Sequence, residues 1–512
     1  MKPRAAPGRY GWPLLVQGCW KHRFCCGSPV VRLAGRPAGR PQRGAKYRPM
    51  STWCEATWAS SVPHATVGAM TATEATNVAA DEVEALTADA LRWLLKSARK
   101  TGNNGLAWTI KPSDNEPNPT LYSGTAGVIP VLLEAWRHFG DDRYGDAALR
   151  AARSVSAAVV DGRQDNSLYF GLTGMALALR AVHDELGAAD AAAAADRTLA
   201  LVRARFDGTR WGSWFDLMGG NAGIGLGALA VGDTDLAVLA VEPYLRSAEQ
   251  TPVGVHWEAQ TGRAARFHHI SHGTLGIVYT LARVGRATGR ADLIELARAG
   301  AADVVARNEA GPAGFLVPHS DPQNHPELTE RYSYGWFHGP VGDAQVFRLL
   351  RDALDDPAWQ ALANRCWHTV THSGLPRRLR PGFWDNNGRC CGTAGVLALA
   401  CDRIAEQNDH PNFARLLVAD IVSRAIRDTD GVRWSNLEHR ATPSTLEPRT
   451  GWAMGNAGIV RELLRFVRIS RGDDPAYVLA WPDQPAVNQT AAAVRVPLGA
   501  EVFVQSREGD FR

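Results

Sequence analysis

Long apolar runs, disulfide-scale cysteine content and, over the first 49 residues, acids are what this 512-residue chain lacks. No apolar stretch approaches the roughly 18 residues that a membrane-crossing helix needs. Eight cysteines are too few for a disulfide scaffold, and three of them (Cys19, Cys25, Cys26) fall near the N-terminus, so a reducing, cytoplasmic setting is expected. Residues 1–49 carry eleven of the 56 Lys and Arg and no Asp or Glu, which leaves 45 basic against 52 acidic residues in the remainder. The formal charge of +4 therefore describes the N-terminus alone. A mildly acidic remainder excludes a dedicated nucleic-acid surface, which needs a basic stripe facing the phosphates.

The basic segment 1–49 has only a short apolar patch, Trp12-Pro-Leu-Leu-Val16, and no secretory signature. It is expected to be a disordered leader. An over-extended start ahead of Met50 is the leading explanation, and an organellar transit segment the second. Residues 50–79 read as a linker, 80–485 as the folded unit and 486–512 as a C-terminal tail.

What the chain has in quantity is glycine at regular places. A G-x-x-G pair recurs as Gly124-Thr-Ala-Gly127, Gly171-Leu-Thr-Gly174, Gly220-Asn-Ala-Gly223, Gly273-Thr-Leu-Gly276, Gly339-Pro-Val-Gly342, Gly392-Thr-Ala-Gly395 and Gly455-Asn-Ala-Gly458. Such self-similarity signals a repeat architecture. Each pair is followed by an apolar run of helical length, such as Val128-Ile-Pro-Val-Leu-Leu133, and preceded by a more amphipathic one, at about 81–99, 143–160, 189–206, 234–249, 291–307, 357–373 and 411–427. Asp356-Pro357 and His410-Pro411 are helix-start signals. Seven inner and seven outer helices predict an all-α, α/α toroid of seven helical hairpins, closed so that no open solenoid end remains. Without side chains, the glycines would let the inner helices start close together at the crowded centre, with free N–H groups turned to the cavity. A second motif, G-x-x-W, recurs at Gly105–Trp108, Gly208–Trp211, Gly254–Trp257 and Gly431–Trp434, either wedging hairpins together or forming a peptide-binding aromatic rim.

If the inner helices all start at one end, the residues just before each glycine pair converge on one mouth. These include Ser271-His272, Phe337-His338 and Cys390-Cys391, and Asp216 joins them from the third repeat. Singly, each has a structural explanation as a cap or core residue. Together they form an acid/base and soft-ligand set of the kind an active site requires.

The chain resembles the lanthionine synthetase C-like (LanC-like) family over about residues 80–485. The resemblance is carried by the seven glycine turns, Trp214-Phe-Asp-Leu-Met-Gly-Gly220, Ser271-His272-Gly273, Gly335-Trp336-Phe337-His338-Gly339, Cys390-Cys391-Gly392 and Gly451-Trp452. It implies a cyclase that adds a peptide Cys thiol to dehydroalanine or dehydrobutyrine, acting on a dehydrated precursor peptide supplied by a separate dehydratase. Asp216 matches the family's acid near the site, and His272 its proton-transfer residue. The family's zinc takes a Cys from W-C-x-G and a Cys-His pair from C-H-G. In this sequence Phe337 stands where the first Cys is expected and Cys391 where the His is. The implied zinc would therefore rest on Cys390, Cys391 and the neighbouring His338. A non-catalytic peptide- or partner-binding toroid is the alternative that Phe337 favours. A carbohydrate-active toroid, which needs two acids across the cleft, could draw only on Asp216 with Asp385 or Glu327.

Overall fold

The computed structural model describes residues 78–159, 165–324, 326, 330–377, 386–436 and 445–484. Among them fourteen helices alternate in two roles. The inner helices are α2 (Thr125–Phe139), α4 (Leu172–Leu186), α6 (Asn221–Ala230), α8 (Thr274–Thr288), α10 (Pro340–Leu354), α12 (Thr393–Gln407) and α14 (Asn456–Arg471). The outer ones are α1 (Ala80–Lys96), α3 (Asp142–Val159), α5 (Ala189–Ala204), α7 (Thr234–Ser247), α9 (Ala291–Val305), α11 (Pro357–His372) and α13 (Asn412–Ser423). The all-α toroid expected from the repeats is the observed architecture.

The tight hairpins run from inner to outer helix. Each of the first six inner helices packs on the outer helix that follows it, across a turn of a few residues. Four of these turns use glycine at positive φ, Gly140, Gly187, Gly232 and Gly289, and two use residues that tolerate it, Asp355 and Asn408. The return from outer to inner helix is longer. It carries small antiparallel ribbons, β1 (Arg99–Thr101) with β2 (Gly105–Ala107), β3 (Glu249–Gln250) with β4 (Val255–His256), β5 (Arg266–Phe267) with β6 (Ser320–Asp321), and β7 (Ile426–Asp428) with β8 (Gly431–Arg433). Closure follows from helix order: α14 packs against α2 to complete the inner ring and takes α1 as its outer partner. The first and last helices of the chain thus seal the seventh unit. Large apolar side chains on the inner helices are buried on nearly every side, each worth about 2 kcal/mol over its exposed state.

The glycine pairs serve close backbone approach. A Cβ on Gly174 would stand 1.9 Å from the carbonyl oxygen of Leu168 and 2.8 Å from the Leu121 side chain of the preceding repeat. At the seam, a Cβ on Gly127 would meet the Leu121 oxygen at 2.1 Å and Trp452 of the last repeat at 3.1 Å. The ring therefore closes through the same glycine-to-neighbour contact that links its interior members.

The N–H groups at these helix starts differ from the sequence expectation. They do not face the cavity but donate to the entering loop about seven residues back: Thr125 N to Asn118 O at 2.7 Å, Leu172 N to Asp165 O at 2.7 Å and Asn456 N to Arg449 O at 2.9 Å. The loop must bend back on the helix for the glycines to pack, and its carbonyls satisfy the first turn. The tryptophans of the second motif act as wedges. Their indole N–H groups donate to the last turns of the outer helices, Trp108 to Leu94 O at 2.8 Å, Trp211 to Val202 O at 2.6 Å, Trp257 to Tyr244 O at 3.0 Å and Trp434 to Ile421 O at 2.8 Å.

Candidate active site at the mouth of the ring

The residues preceding five of the seven glycine pairs are tied into a belt by their backbones. Phe337 N–H donates to Cys390 C=O at 3.1 Å, Cys390 N–H to Ala453 C=O at 2.8 Å, Ala453 N–H to Tyr122 C=O at 3.0 Å and Tyr122 N–H to Tyr169 C=O at 2.9 Å. Ser271 Oγ extends the belt by donating to Phe337 C=O at 2.5 Å. Convergence of these positions on one mouth is thus a hydrogen-bonded fact of the fold.

Asp216 and His272, 56 residues apart in sequence, meet there. Asp216 is fully buried, and its Oδ1 accepts from Gly219 N–H at 2.7 Å, which orients the carboxylate. Its Oδ2 hydrogen-bonds His272 Nδ1. The imidazole keeps 13% of its side-chain surface accessible while the carboxylate keeps none. Trp214 and Phe337 flank the ring at centroid distances of 5.5 and 5.1 Å. With Nδ1 donating to a carboxylate, the tautomer is set, and Nε2 is the nitrogen that can exchange a proton with a bound group.

Five further residues complete the surroundings. His269 and Asp343, both fully buried, form a second imidazole–carboxylate pair with Nδ1 to Oδ2 at 2.9 Å. His319 packs edge-on to His338 at 3.9 Å, and His338 lies 5.8 Å from His272. Burial pushes the His319 imidazole down to about 3, with His269 and His272 adding repulsion. His338 and His268 are driven well below the ordinary range by the same desolvation, so these rings are neutral near pH 7. Asp343 is raised by burial, against the attraction of His269. The sequence held a signal for this second layer, since His268-His269 precede Ser271-His272 in one loop and Asp343 directly follows Gly342.

The expected metal set is brought together only in part. Cys391 Sγ lies 3.3 Å from Cys390 Sγ, which also accepts from Tyr122 OH at 3.3 Å. His338 lies with a different set of neighbours: its Nδ1 is 3.3 Å from Ser271 Oγ and its ring packs on His319. Among the described residues no three His, Cys, Asp or Glu side chains form a group that could hold a metal ion. Two thiols are one ligand short of the three protein ligands a catalytic zinc takes, and Phe337, where the third is expected, presents a phenyl ring. The donor set of Cys390, Cys391 and His338 does not fit zinc. Asp385 and Glu327, the acids a carbohydrate-active site would need, lie outside the described residues.

A closed double ring of seven helical hairpins with an acid–imidazole pair at its mouth defines an α/α toroid. The family model for lanthionine synthetase C-like protein matches residues 116–326 and 323–418, and the chain belongs to that family. A search of curated proteins returns no match. Among solved structures, a nisin cyclase is similar at 15% identity and a TM-score of 0.53, covering 79% of this chain and 96% of its own. An unsaturated glucuronyl hydrolase from Bacillus sp. GL1 aligns at 16% identity and a TM-score of 0.42 over 69% of this chain and 97% of its own. A GH76 α-mannanase of Bacteroides thetaiotaomicron aligns at 8% identity and 0.43, over 76% and 96%. No helix among the described residues is long and apolar enough to cross a membrane.

Proposed function

We propose that this LanC-like protein is a peptide-modifying enzyme that forms thioether rings by adding Cys thiols to dehydroalanine or dehydrobutyrine residues of a precursor dehydrated by a separate enzyme. The observation that carries the reading is the His272–Asp216 pair, an accessible imidazole held by a buried, oriented carboxylate at the mouth of a LanC-like ring.

The chemistry needs one proton removed and one delivered. His272 Nε2 takes the thiol proton, the sulfur forms its bond to Cβ, and the π electrons of the Cα=Cβ bond move into the enolate. The imidazolium returns the proton to Cα, and the addition is balanced without another reactant. Asp216 stabilises the imidazolium while it exists. Zinc in this family would supply a ready thiolate; because the donors here do not fit it, thiol deprotonation is assigned to His272. Cys366 and Cys401, both buried, are free thiols, which suits a reducing cytoplasm.

Incubation with dehydrated Cys-containing peptides, followed by alkylation and mass spectrometry, tests the reading. Cyclisation leaves mass unchanged, so loss of alkylatable thiol is the readout. No loss above the uncatalysed background across several peptides would favour the second reading, a peptide-binding toroid without catalysis, to which Phe337 packed 5.1 Å from the His272 ring gives its support.

A further inference from the structure

The described residues beyond α14 do not leave the ring. Residues 473–484, which contain no helix or strand, double back antiparallel to α14 and climb inside the inner helices toward the mouth. The order of contacts shows the direction. Arg468 donates to Asp474 O at 3.3 Å and Ala476 O at 3.0 Å, Arg465 to Pro475 O at 2.8 Å, and Arg461 to Leu479 O. Still higher, Trp481 stacks on Trp452 with centroids 4.3 Å apart and planes at 9°, and its indole N–H reaches Tyr169 OH at 3.2 Å. On the α2 side, Val478 N–H donates to Glu134 Oε1 at 2.8 Å.

Most of these hydrogen bonds go to the main chain of the segment. The exceptions are the side chains of Tyr477, Trp481 and the buried Asp483, whose carboxylate faces Tyr169 OH. Tyr477 OH donates to Glu462 Oε2 at 2.5 Å and its ring lies under two guanidinium groups, Arg461 at 4.1 Å and Arg465 at 4.3 Å. A wall of long charged side chains that read carbonyls and one amide N–H, with anchoring sites for two aromatic rings four residues apart, is how a protein holds an extended peptide. The buried guanidinium and carboxylate groups need those partners, because left bare they would carry an unsatisfied desolvation cost. At the same time Ala476 and Ala480 remain exposed, and Tyr477, Val478 and Leu479 are only half-buried, so one side of residues 476–480 stays open to water while Trp481, Asp483 and Gln484 are buried.

We infer that the interior of the inner ring is a peptide-binding channel, occupied in cis by residues 473–484 of this chain as an exchangeable ligand. Its upper end reaches the floor of the mouth. Trp452 stands edge-on to Trp336 at 5.7 Å, Trp336 adjoins Phe337, and Phe337 packs on His272. The occupant therefore sets how deep the mouth is, whatever reaction takes place there.

The test uses the full chain with a protease recognition sequence inserted between the exposed Gly472 and Asp473, cut after folding. An isotopically labelled peptide of residues 473–484 is then added in excess and followed by native mass spectrometry. The expected result is replacement of the severed segment by labelled peptide at one per chain, with helix content unchanged. A labelled Tyr477→Ala peptide should compete at least about 10-fold less well, while Val478→Ala, held through its N–H, should stay within about 3-fold. A severed segment that does not exchange over days, or whose departure melts the helices, would overturn the inference and make residues 473–484 a fixed part of the core. The readout is binding, so it stands apart from the fate of the cyclase reading.

Discussion

Replacing Asp216 by Asn probes the site with the least change of shape. The carboxylate accepts on both oxygens, from Gly219 N–H at 2.7 Å on one and from His272 Nδ1 on the other. An amide has one accepting oxygen. If that oxygen keeps the Gly219 N–H, the NH2 group faces His272 and can only donate, so Nδ1 must become the acceptor and the ring proton moves to Nε2. The neutral ring then presents N–H where the reaction needs a lone pair, and the imidazolium loses its counter-charge. General acid–base assistance is worth about 10²–10⁴ in rate, so Asp216→Asn should lower kcat about 100-fold or more with little change in KM. The fold should survive, because the side chain keeps its volume and one hydrogen bond. Thiol-loss kinetics give the rate, and 15N chemical shifts of the imidazole report the tautomer. Activity within about 3-fold of wild type, or a His272 tautomer unchanged by the substitution, would refute the role given to the pair.

Gly174→Ala should cost about 3 kcal/mol in urea unfolding, because a methyl group 1.9 Å from a backbone oxygen cannot be relieved by a rotamer change, whereas Gly102→Ala, with nothing within 4 Å, should stay within about 0.5 kcal/mol. Neutral buried His268, His319 and His338 bind protons only when the chain unfolds, so stability present above pH 6.5 should fall by about 4 kcal/mol per pH unit below it. His319→Asn should take about a third off that slope in urea midpoints measured between pH 5 and 7. Burial pushes Asp483 up to about 6 despite Arg389, so its ionisation costs stability as pH rises through that value, and Asp483→Asn should raise the melting temperature above pH 6 but not at pH 4. Phe337→Cys should bring zinc, measured by elemental analysis, near one per chain where the wild type stays well below it, since residue 337 adjoins Cys390 through its backbone and would add a third thiolate.

The ring was legible in the sequence because its glycines are demanded by backbone geometry: no other residue can stand 2 Å from a carbonyl oxygen, so G-x-x-G recurs wherever an inner helix starts. The outer helices could be placed to within a few residues from amphipathicity, and Asp356 caps α11 through Ala358 N–H as its position before Pro357 suggests. His272 and Asp216 were legible as members of one mouth. Their partnership was legible from the chemistry, in which a carboxylate orients the imidazole, and loop geometry makes it a direct bond across 56 residues of sequence. The pairing of His269 with Asp343 was not read, since no motif joins the two. His338 shares a dipeptide with Phe337, yet successive residues of the turn point apart, and it packs with His319 rather than with the cysteines. Segment 473–484 left little trace in the pattern because it contains no helix or strand and so has no periodicity, and the guanidinium groups of α14 bind its carbonyls, which places few demands on side-chain type.

Delivery of the proton to Cα by His272 is the central step of the proposed reaction. Running the addition in deuterated water and resolving the lanthionine by chiral chromatography with mass detection reads that step directly. Wild type should give one configuration at Cα carrying one deuterium, and His272→Asn should return only the slow, mixed-configuration background. Mixed configuration from the wild type, or a single configuration that survives His272→Asn, would contradict it.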